Sequence, residues 1–258
     1  MTTLITGASA GLGEGFARAL GARGENLILT ARRVDRLEAL AAELRAAHKI
    51  DVHLVPADLA QPDAPTMLLA DIAAAGLTID QLINNAGFGA QGAFAEGDAA
   101  QQLGMIDLNC RALVALTHGV LPQMIARKSG GILNVASTAA FQPGPWLAVY
   151  YASKAFVLSF SEAIHEEAKP HGVRVAALCP GPTRTEFADV AGMGESALFK
   201  TFASDADAVV RDGLAALAGN QAVRISGVAN MLMAESIRLT PRSLARRLAG
   251  ALQKSRAN

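Results

Sequence analysis

Two side chains that could exchange a proton with a substrate, Tyr150 and Lys154, are four residues apart, and Ser137 precedes them. If residues 150 to 168 form a helix, the phenol and the ammonium share one face. A cation beside a phenol lowers its pKa from about 10, so the tyrosine could exchange a proton near neutral pH. Ser137 could hold a substrate oxygen while charge develops on it. Together the three side chains predict reduction of a carbonyl group or oxidation of an alcohol.

The same spacing also has an ordinary structural explanation. Aromatic and lysine residues four apart are common on surface helices, so the pair alone does not establish a site. Tyr151 is a second candidate for the acid, but it is three residues before Lys154 and points to another part of the helix, where it would pack or line a pocket. The rest of the chain has to decide between these interpretations.

The elements that would position these residues follow an alternating pattern. Short apolar runs predict strands at Thr2–Thr6, Asn26–Thr30, Val52–Val55, Gln81–Ile83, Gly131–Val135, Val173–Leu178 and Ala222–Ile225. Longer amphipathic runs predict helices at Leu12–Arg23, Val34–His48, Ala64–Ala75, Gln101–Arg127, Tyr150–Lys169 and Ala206–Leu217. The alternation predicts an α/β fold of the Rossmann type, doubly wound, with a mostly parallel seven-stranded sheet and helices on both faces.

The chain shows no linker, so we expect residues 1–258 to form a single domain. Apolar residues and two glycines after Pro180-Gly181 indicate a substrate lid at about 182–204. A basic helical segment is expected at about 236–256. Ligands of doubly wound folds sit outside the carboxyl ends of the strands, so the loops after the strands are the candidate functional positions.

The first strand-to-helix turn reads Thr-Gly-Ala-Ser-Ala-Gly-Leu-Gly over residues 6–13. Glycines in such a turn allow close approach to a pyrophosphate, and the following helix N-terminus offers N–H groups and positive potential. A purely structural turn is the alternative, but the position in the first turn, directly before a helix, favours nucleotide binding. The predicted contacts are Gly7, Ser9, Ala10, Gly11, Leu12 and Gly13.

The second predicted strand ends at Thr30 and is followed by Arg32 and Arg33, where an NAD enzyme would place an acid for the ribose 2′-hydroxyl. Guanidinium groups suit a 2′-phosphate, so these residues favour NADP as the cofactor. The alternative is that both arginines only begin a surface helix.

These residues, in this order, resemble the short-chain dehydrogenase/reductase family, in its compact single-domain and NADP-preferring form. The resemblance covers about residues 1 to 186. It implies that Tyr150 is the acid/base, Ser137 orients the carbonyl, Lys154 holds the nicotinamide ribose and lowers the tyrosine pKa, and Asn109 secures a water that joins Lys154 to solvent. For Asn109, satisfying backbone groups is the alternative. Further cofactor contacts implied by the resemblance are Asp58, Leu59, Asn85, Ala86, Gly87, Pro180, Gly181, Thr183 and Thr185.

Two features depart from the family pattern. No basic residue is present among Ala8, Ser9 and Ala10, so the NADP preference depends on Arg32 and Arg33. The segment after Ile225 lacks the glycine-rich ending that many tetrameric members use to pack against a neighbour, so the assembly is left open between a dimer and a tetramer. A homo-oligomer is expected from the resemblance to the family.

Composition excludes several other classes. The formal net charge is zero, which predicts no nucleic-acid partner. Cys110 and Cys179 lie far apart and the five histidines show no ligand spacing, so no metal is expected. A strand-like segment begins almost at Met1, which predicts a cytoplasmic protein. The basic segment after Ser236 could lie on an anionic membrane or partner, but a solvated helix face is the preferred explanation, so no firm membrane signal is present.

The substrate is expected to be a small molecule, a hydrophobic ketone or aldehyde, because many loop residues near the predicted site are apolar. An NADP-binding sensor or scaffold without turnover is the alternative from another class. An epimerase or dehydratase also shares the Tyr and Lys spacing, but this chain is short for the additional substrate domain of that family.

Overall fold

The computed structural model describes residues 1–186 and 204–254. Its centre is a seven-stranded sheet in the order β3-β2-β1-β4-β5-β6-β7, and each of the six pairings between these strands is parallel. The strands are β1 (Thr2–Thr6), β2 (Asn26–Thr30), β3 (Val52–Leu54), β4 (Gln81–Asn84), β5 (Gly130–Val135), β6 (Val173–Cys179) and β7 (Val223–Ile225). The predicted Rossmann-type, doubly wound α/β fold is confirmed.

Helices flank the sheet along the described chain. They are α1 (Gly11–Gly21), α2 (Val34–His48), α3 (Ala64–Ala74), α4 (Ala99–Ile106), α5 (Leu113–Ala126), α6 (Ala148–Ala168), α7 (Ala206–Ala218), α8 (Val228–Leu239) and α9 (Arg242–Lys254). None of these helices combines the length and apolar character that crossing a membrane requires.

Both faces of the sheet are covered because apolar residues occupy consecutive positions in the strands. In β1, Leu4 packs in a cluster with Leu68 of α3, whereas its neighbour Ile5 packs in a second cluster with Phe16 of α1 and Leu214 of α7. Successive strand residues point to opposite faces, so a continuous apolar run is what a strand buried on both sides needs. Each fully buried side chain of this size stabilises the fold by about 1.5–3 kcal/mol relative to an exposed one.

The helix predicted at Gln101–Arg127 was wrong in one respect. It is divided into α4 and α5 by a π-helical segment, Asp107–Ala112, which contains Asn109. Single π-helical turns inside α-helices often occur at functional sites. In this π-helical segment, the Asn109 side chain forms hydrogen bonds with the backbone of Phe88, in the loop after β4.

The C-terminal part also differs from the prediction. A basic helical segment at about 236–256 is only partly correct, because Thr240 is extended (ψ 128°) and separates α8 from α9. The break falls at the residue before Pro241, where proline disfavours the helical conformation. The predicted lid at about 182–204 falls mainly on residues 187–203, outside the described residues. At its edges, Thr183 and Ser204 form a parallel bridge.

The order of the strands reverses between β1 and β4, which are neighbours in the sheet. The chain leaves β1 toward one edge and leaves β4 toward the other, so the loops diverge and a crevice opens at the carboxyl ends of these two strands. The glycine-rich turn after β1 and the Asn85-Ala86-Gly87 loop after β4 form its walls.

Candidate active site

Tyr150 and Lys154 lie in the first two turns of α6, both buried, with 7% and 5% of their surfaces exposed. The Lys154 Nζ is 5.9 Å from the centre of the Tyr150 ring and donates a hydrogen bond of 2.8 Å to the carbonyl oxygen of Val135 in β5. Ser137 is the second residue after β5, and its Oγ accepts from the Ala139 backbone N–H at 3.1 Å. Helical spacing and the end of β5 therefore bring the three predicted residues together.

One electrostatic expectation was wrong. Burial raises the pKa of Tyr150 to about 12, and the hydrogen bond with Ser137 opposes that rise. Burial also lowers the pKa of Lys154 to about 8. Removal from water disfavours whichever form is charged, and in this structure that effect outweighs the expected attraction between ammonium and phenolate. At neutral pH Tyr150 therefore carries its proton.

Tyr151 occupies the packing position that its spacing predicts. Its ring meets that of Tyr150 edge to face at 6.0 Å between centroids. A Cβ added at Gly144 would overlap the Tyr151 ring, so the loop before α6 lies directly against it.

Asn109 is 1% exposed and its amide is used by neighbouring groups. Its Nδ2 donates to the carbonyl oxygen of Phe88 and to Ser153 Oγ, both at 3.0 Å, and its Oδ1 accepts from the Phe88 N–H at 3.0 Å. These contacts correspond to the alternative in which Asn109 satisfies backbone groups. They tie the π-helical segment to α6 and to the loop after β4.

The glycine-rich turn has the backbone that its sequence requires. Gly7 and Gly11 have φ of +67° and +57°, a region that other residues seldom adopt. Asn85 locks the turn to the neighbouring strand, because its Nδ2 donates to the carbonyl oxygen of Thr6 at 2.9 Å. The backbone N–H groups of Asn85 and Ala86 donate to Thr6 Oγ1 at 3.0 and 2.9 Å. These contacts join the turn to the loop after β4.

Arg33 reaches back to this turn. Its Nε donates to Ser9 Oγ and its Nη2 to the Ser9 carbonyl oxygen, both at 3.3 Å. Its Nη1 donates to Glu186 Oε2 at 2.9 Å, and Arg36 Nη1 donates to Glu186 Oε1 at 2.7 Å. Arg32 is exposed beside them. The predicted phosphate arginines thus lie at the turn, together with an acid that the sequence did not indicate.

A cavity of about 680 Å³ joins these groups. Of the predicted catalytic and cofactor residues, those that line it are Gly7, Ser9, Ala10, Gly11, Leu12, Arg32, Arg33, Asp58, Leu59, Asn85, Ala86, Gly87, Ser137, Tyr150, Lys154, Pro180, Gly181, Thr183 and Thr185. Gly13 and Asn109 lie behind its wall. A Cβ added at Gly13 would overlap the carbonyl oxygen of Gly7, so Gly13 lets α1 approach the turn.

Several lining residues were not predicted from the sequence. Asn230, Met233 and Ile237 come from α8, and Ala249 comes from α9. Asn230 is 7% exposed, donates to the Ser226 carbonyl oxygen at 2.7 Å, and packs on Gly181. Met233 and Ile237 are four residues apart, and this helical spacing of apolar residues could have predicted α8 from the sequence. It could not have predicted that α8 covers the cavity.

Two curated proteins with related sequences are reductases. The chain is 40% identical over 176 residues to a very-long-chain 3-oxoacyl-CoA reductase of Phaeosphaeria nodorum, covering 67% of this chain and 52% of that protein, so it spans about half the length of that relative. It is 38% identical over 195 residues to a sulfoacetaldehyde reductase of Chromohalobacter salexigens, covering 75% of this chain and 76% of that protein.

Solved structures share the fold over most of the chain. A short-chain dehydrogenase from Sphingobium yanoikuyae in complex with NADPH is 33% identical, with a TM-score of 0.82 and coverage of 92% and 93% of the two chains. A Burkholderia phymatum short-chain dehydrogenase/reductase in complex with NAD is 25% identical, with a TM-score of 0.81 and coverage of 92% and 94%.

The family match agrees with the geometry of the site. Residues 1–195 match the family described as short chain dehydrogenase, which includes the glycine-rich turn, Ser137, Tyr150 and Lys154. The chain therefore belongs to the short-chain dehydrogenase/reductase family of oxidoreductases, which act on alcohol and carbonyl groups.

Proposed function

We propose that this protein is an NADP(H)-dependent oxidoreductase that interconverts a carbonyl compound and an alcohol, with Tyr150 as the acid/base. The observation that carries the proposal is one cavity with the Ser137, Tyr150 and Lys154 side chains in one part and the glycine-rich turn with Arg32 and Arg33 in another. A protein that only bound the nucleotide would have no need of the three side chains beside it.

The residues present fit a phosphorylated dinucleotide. A Cβ added at Gly7 would lie 2.9 Å from Asn85 Nδ2, and one added at Gly11 would lie 3.1 Å from the Thr185 Cβ, so both positions are crowded. The turn leads into the N-terminus of α1, whose free N–H groups and positive potential favour binding of a pyrophosphate. Arg33 at Ser9 favours a 2′-phosphate, and the NADPH complex of the Sphingobium relative supports the same choice. Because the Burkholderia relative holds NAD, the preference for NADP(H) over NAD(H) is tested by measuring activity with both cofactors. When bound, the nicotinamide would supply or accept a hydride.

The protein side chains would manage the proton. Because the pKa of Tyr150 is raised to about 12, its phenol keeps its proton at neutral pH and can donate it to the oxygen of a carbonyl. Ser137 would orient that oxygen, and its hydrogen bond with Tyr150 moderates the rise in the pKa. Lys154 would hold the nicotinamide ribose, while Asn109 fixes the loop on which Phe88 lies.

The substrate class that we propose is a hydrophobic ketone or aldehyde. Phe88, Met233 and Ile237 line the cavity, and apolar lining favours an apolar substrate. The activity named for the Phaeosphaeria relative, on a 3-oxoacyl-CoA, supports this class, whereas that of the Chromohalobacter relative, on sulfoacetaldehyde, is polar. A panel of substrates should therefore contain both kinds.

The test is oxidation of NADPH, followed by its absorbance, with a panel of ketones and aldehydes and with NADH in parallel. We expect turnover by the parent protein and a loss of at least about 100-fold in Tyr150→Phe, because general acid catalysis contributes about that factor or more. Tyr151→Phe is the matched control: it removes a phenolic hydroxyl from the neighbouring residue, and its rate of NADPH oxidation should fall by less than about tenfold.

Other outcomes would point to the alternatives. Tight binding of NADPH without turnover of any carbonyl would favour a sensor or scaffold. Conversion of substrate without net change in the cofactor would favour an epimerase. Equal activity of the parent and Tyr150→Phe would remove Tyr150 from its proposed role.

We further propose that the protein is a cytoplasmic homo-oligomer, a dimer or a tetramer. The helices α4 and α6 leave Ile106 and Phe156 45% and 44% exposed beside a groove on α5, and contact with a second copy would bury them. Sedimentation at several protein concentrations tests this, and a monomer at all of them would contradict it.

A further inference from the structure

Glu186 lies in the segment that leaves β6, next to the predicted cofactor contact Thr185. Its carboxylate accepts hydrogen bonds from Arg33 at 2.9 Å and from Arg36 at 2.7 Å, residues 153 and 150 positions earlier in the chain. Arg33 is predicted to bind a 2′-phosphate, but its Nη1 already donates a hydrogen bond to Glu186, an acid of the protein itself.

The contacts are accessible to a ligand. The side chains of Arg33, Arg36 and Glu186 are 43%, 48% and 45% exposed, so solvent and ligands can reach the ion pairs. Arg33 makes its other two contacts with Ser9 of the glycine-rich turn. Its guanidinium is thereby placed at the turn while Glu186 occupies Nη1.

The charge of Glu186 is maintained by the same contacts. Hydrogen bonds from Arg33 and then Arg36 lower the pKa of the Glu186 carboxyl. At neutral pH the group is an anion, and an anion beside a bound 2′-phosphate would repel it. The adenosine ribose of a nucleotide without that phosphate brings no such charge.

We propose that Glu186 is a specificity-determining residue, which limits the preference for a 2′-phosphorylated nucleotide by competing with the phosphate for Arg33 and Arg36. This inference rests on the proposed function, since it assumes that NADP(H) binds at this turn. Bidentate guanidinium contacts suit phosphate at least as well as carboxylate, so the two anions exchange for the same donors. Glu186 thus weakens NADP(H) binding and leaves NAD(H) binding nearly unchanged.

The test uses two nucleotide fragments that bind without turnover, adenosine 2′,5′-bisphosphate and adenosine 5′-monophosphate, titrated calorimetrically into the parent protein and Glu186→Gln. The substitution keeps the side-chain length and removes the charge. The bisphosphate should bind about three- to tenfold more tightly to the variant, and the monophosphate should change by less than about twofold. Glu38→Gln removes the same charge from an exposed position of α2 and should leave the ratio of the two affinities unchanged.

Weaker binding of the bisphosphate to Glu186→Gln, or no change, would overturn the inference, because Glu186 would then position the arginines or have no influence. An equal gain for both fragments, or the same gain in Glu38→Gln, would also overturn it, since general electrostatics would explain the effect. Failure of the proposed function differs in kind: the parent protein itself would bind the bisphosphate no more tightly than the monophosphate.

Discussion

At the scale of single residues, Lys154 is a charged group held at the cost of stability. Its ammonium is buried and donates to a neutral carbonyl oxygen, that of Val135. The folded state therefore favours the uncharged amine, which is why its pKa falls from 10.5 to about 8. A buried cation that opposes folding at neutral pH is expected where a site needs that cation for function.

The consequence is a pH-dependent stability. Between about pH 8 and 10.5 the unfolded chain keeps a proton on Lys154 that the folded chain has lost. Stability from this group therefore increases with pH in that window, and the penalty is present in full below it. Lys154→Met should be more stable than the parent at about pH 7, and its advantage should shrink by about 2 kcal/mol by about pH 9.5.

Urea unfolding of both proteins at the two pH values measures this difference, and groups common to both proteins cancel. Measurement stays below about pH 10, because Tyr150 lies beside residue 154 and does not cancel between the two proteins. Above that pH its contribution has the opposite sign, since its folded pKa is about 12. An advantage that stayed constant or grew with pH would show that Lys154 is not the group responsible.

At the scale of elements, α1 must lie very close to the turn that precedes it. A Cβ at Gly13 would overlap the Gly7 carbonyl oxygen and come within 2.6 Å of Asn85 Nδ2, both in rigid positions. A Cβ at Gly15, in the same helix, would meet only a methyl group of Val210, at 3.0 Å. The two glycines therefore differ in what a methyl group displaces.

Gly13→Ala should lower the free energy of unfolding by more than about 2 kcal/mol and weaken nucleotide binding, because the turn must move away from α1. Gly15→Ala should stay within about 1 kcal/mol of the parent, since alanine favours the helix and the valine methyl can shift. Thermal unfolding and NADPH titration of both variants check this. Equal effects of the two substitutions would mean that the close approach at Gly13 has no special weight.

At the scale of the whole molecule, the sheet and its helices are joined by buried polar contacts as well as apolar ones. Asn84 in β4 donates to Asn134 Oδ1 in β5 at 2.9 Å and to Thr117 Oγ1 in α5 at 3.1 Å. Asn134 donates to Ser161 Oγ in α6 at 2.9 Å. Breaking any of these contacts would expose buried groups in several elements at once.

The chain should therefore unfold as one cooperative unit, as expected for a single domain. Trp146, the one tryptophan of the sequence, lies in the loop before α6, where its carbonyl oxygen accepts a hydrogen bond from the Gly92 N–H at 2.9 Å, so its fluorescence reports on local structure. Urea unfolding followed by its fluorescence and by far-ultraviolet circular dichroism should give the same midpoint. Separate midpoints would divide the chain into two units and contradict the single-domain expectation.

The sequence by itself determined what depends on neighbours along the chain. The seven strands were predicted to within a residue or two, because strands buried on both faces need continuous apolar runs. Tyr150 and Lys154 share a helix face by spacing alone. The glycine-rich turn was identifiable because positive φ at Gly7 and Gly11 needs glycine.

Tertiary structure alone decided what depends on distant residues and on removal from water. Glu186 meets Arg33 across 153 positions, and α8 covers the cavity; neither contact leaves a local pattern. The direction of the Tyr150 pKa shift was predicted wrongly, because spacing shows which charge is near but not how much water is excluded. Burial is a property of the packed molecule, and in this site it outweighs the neighbouring charge.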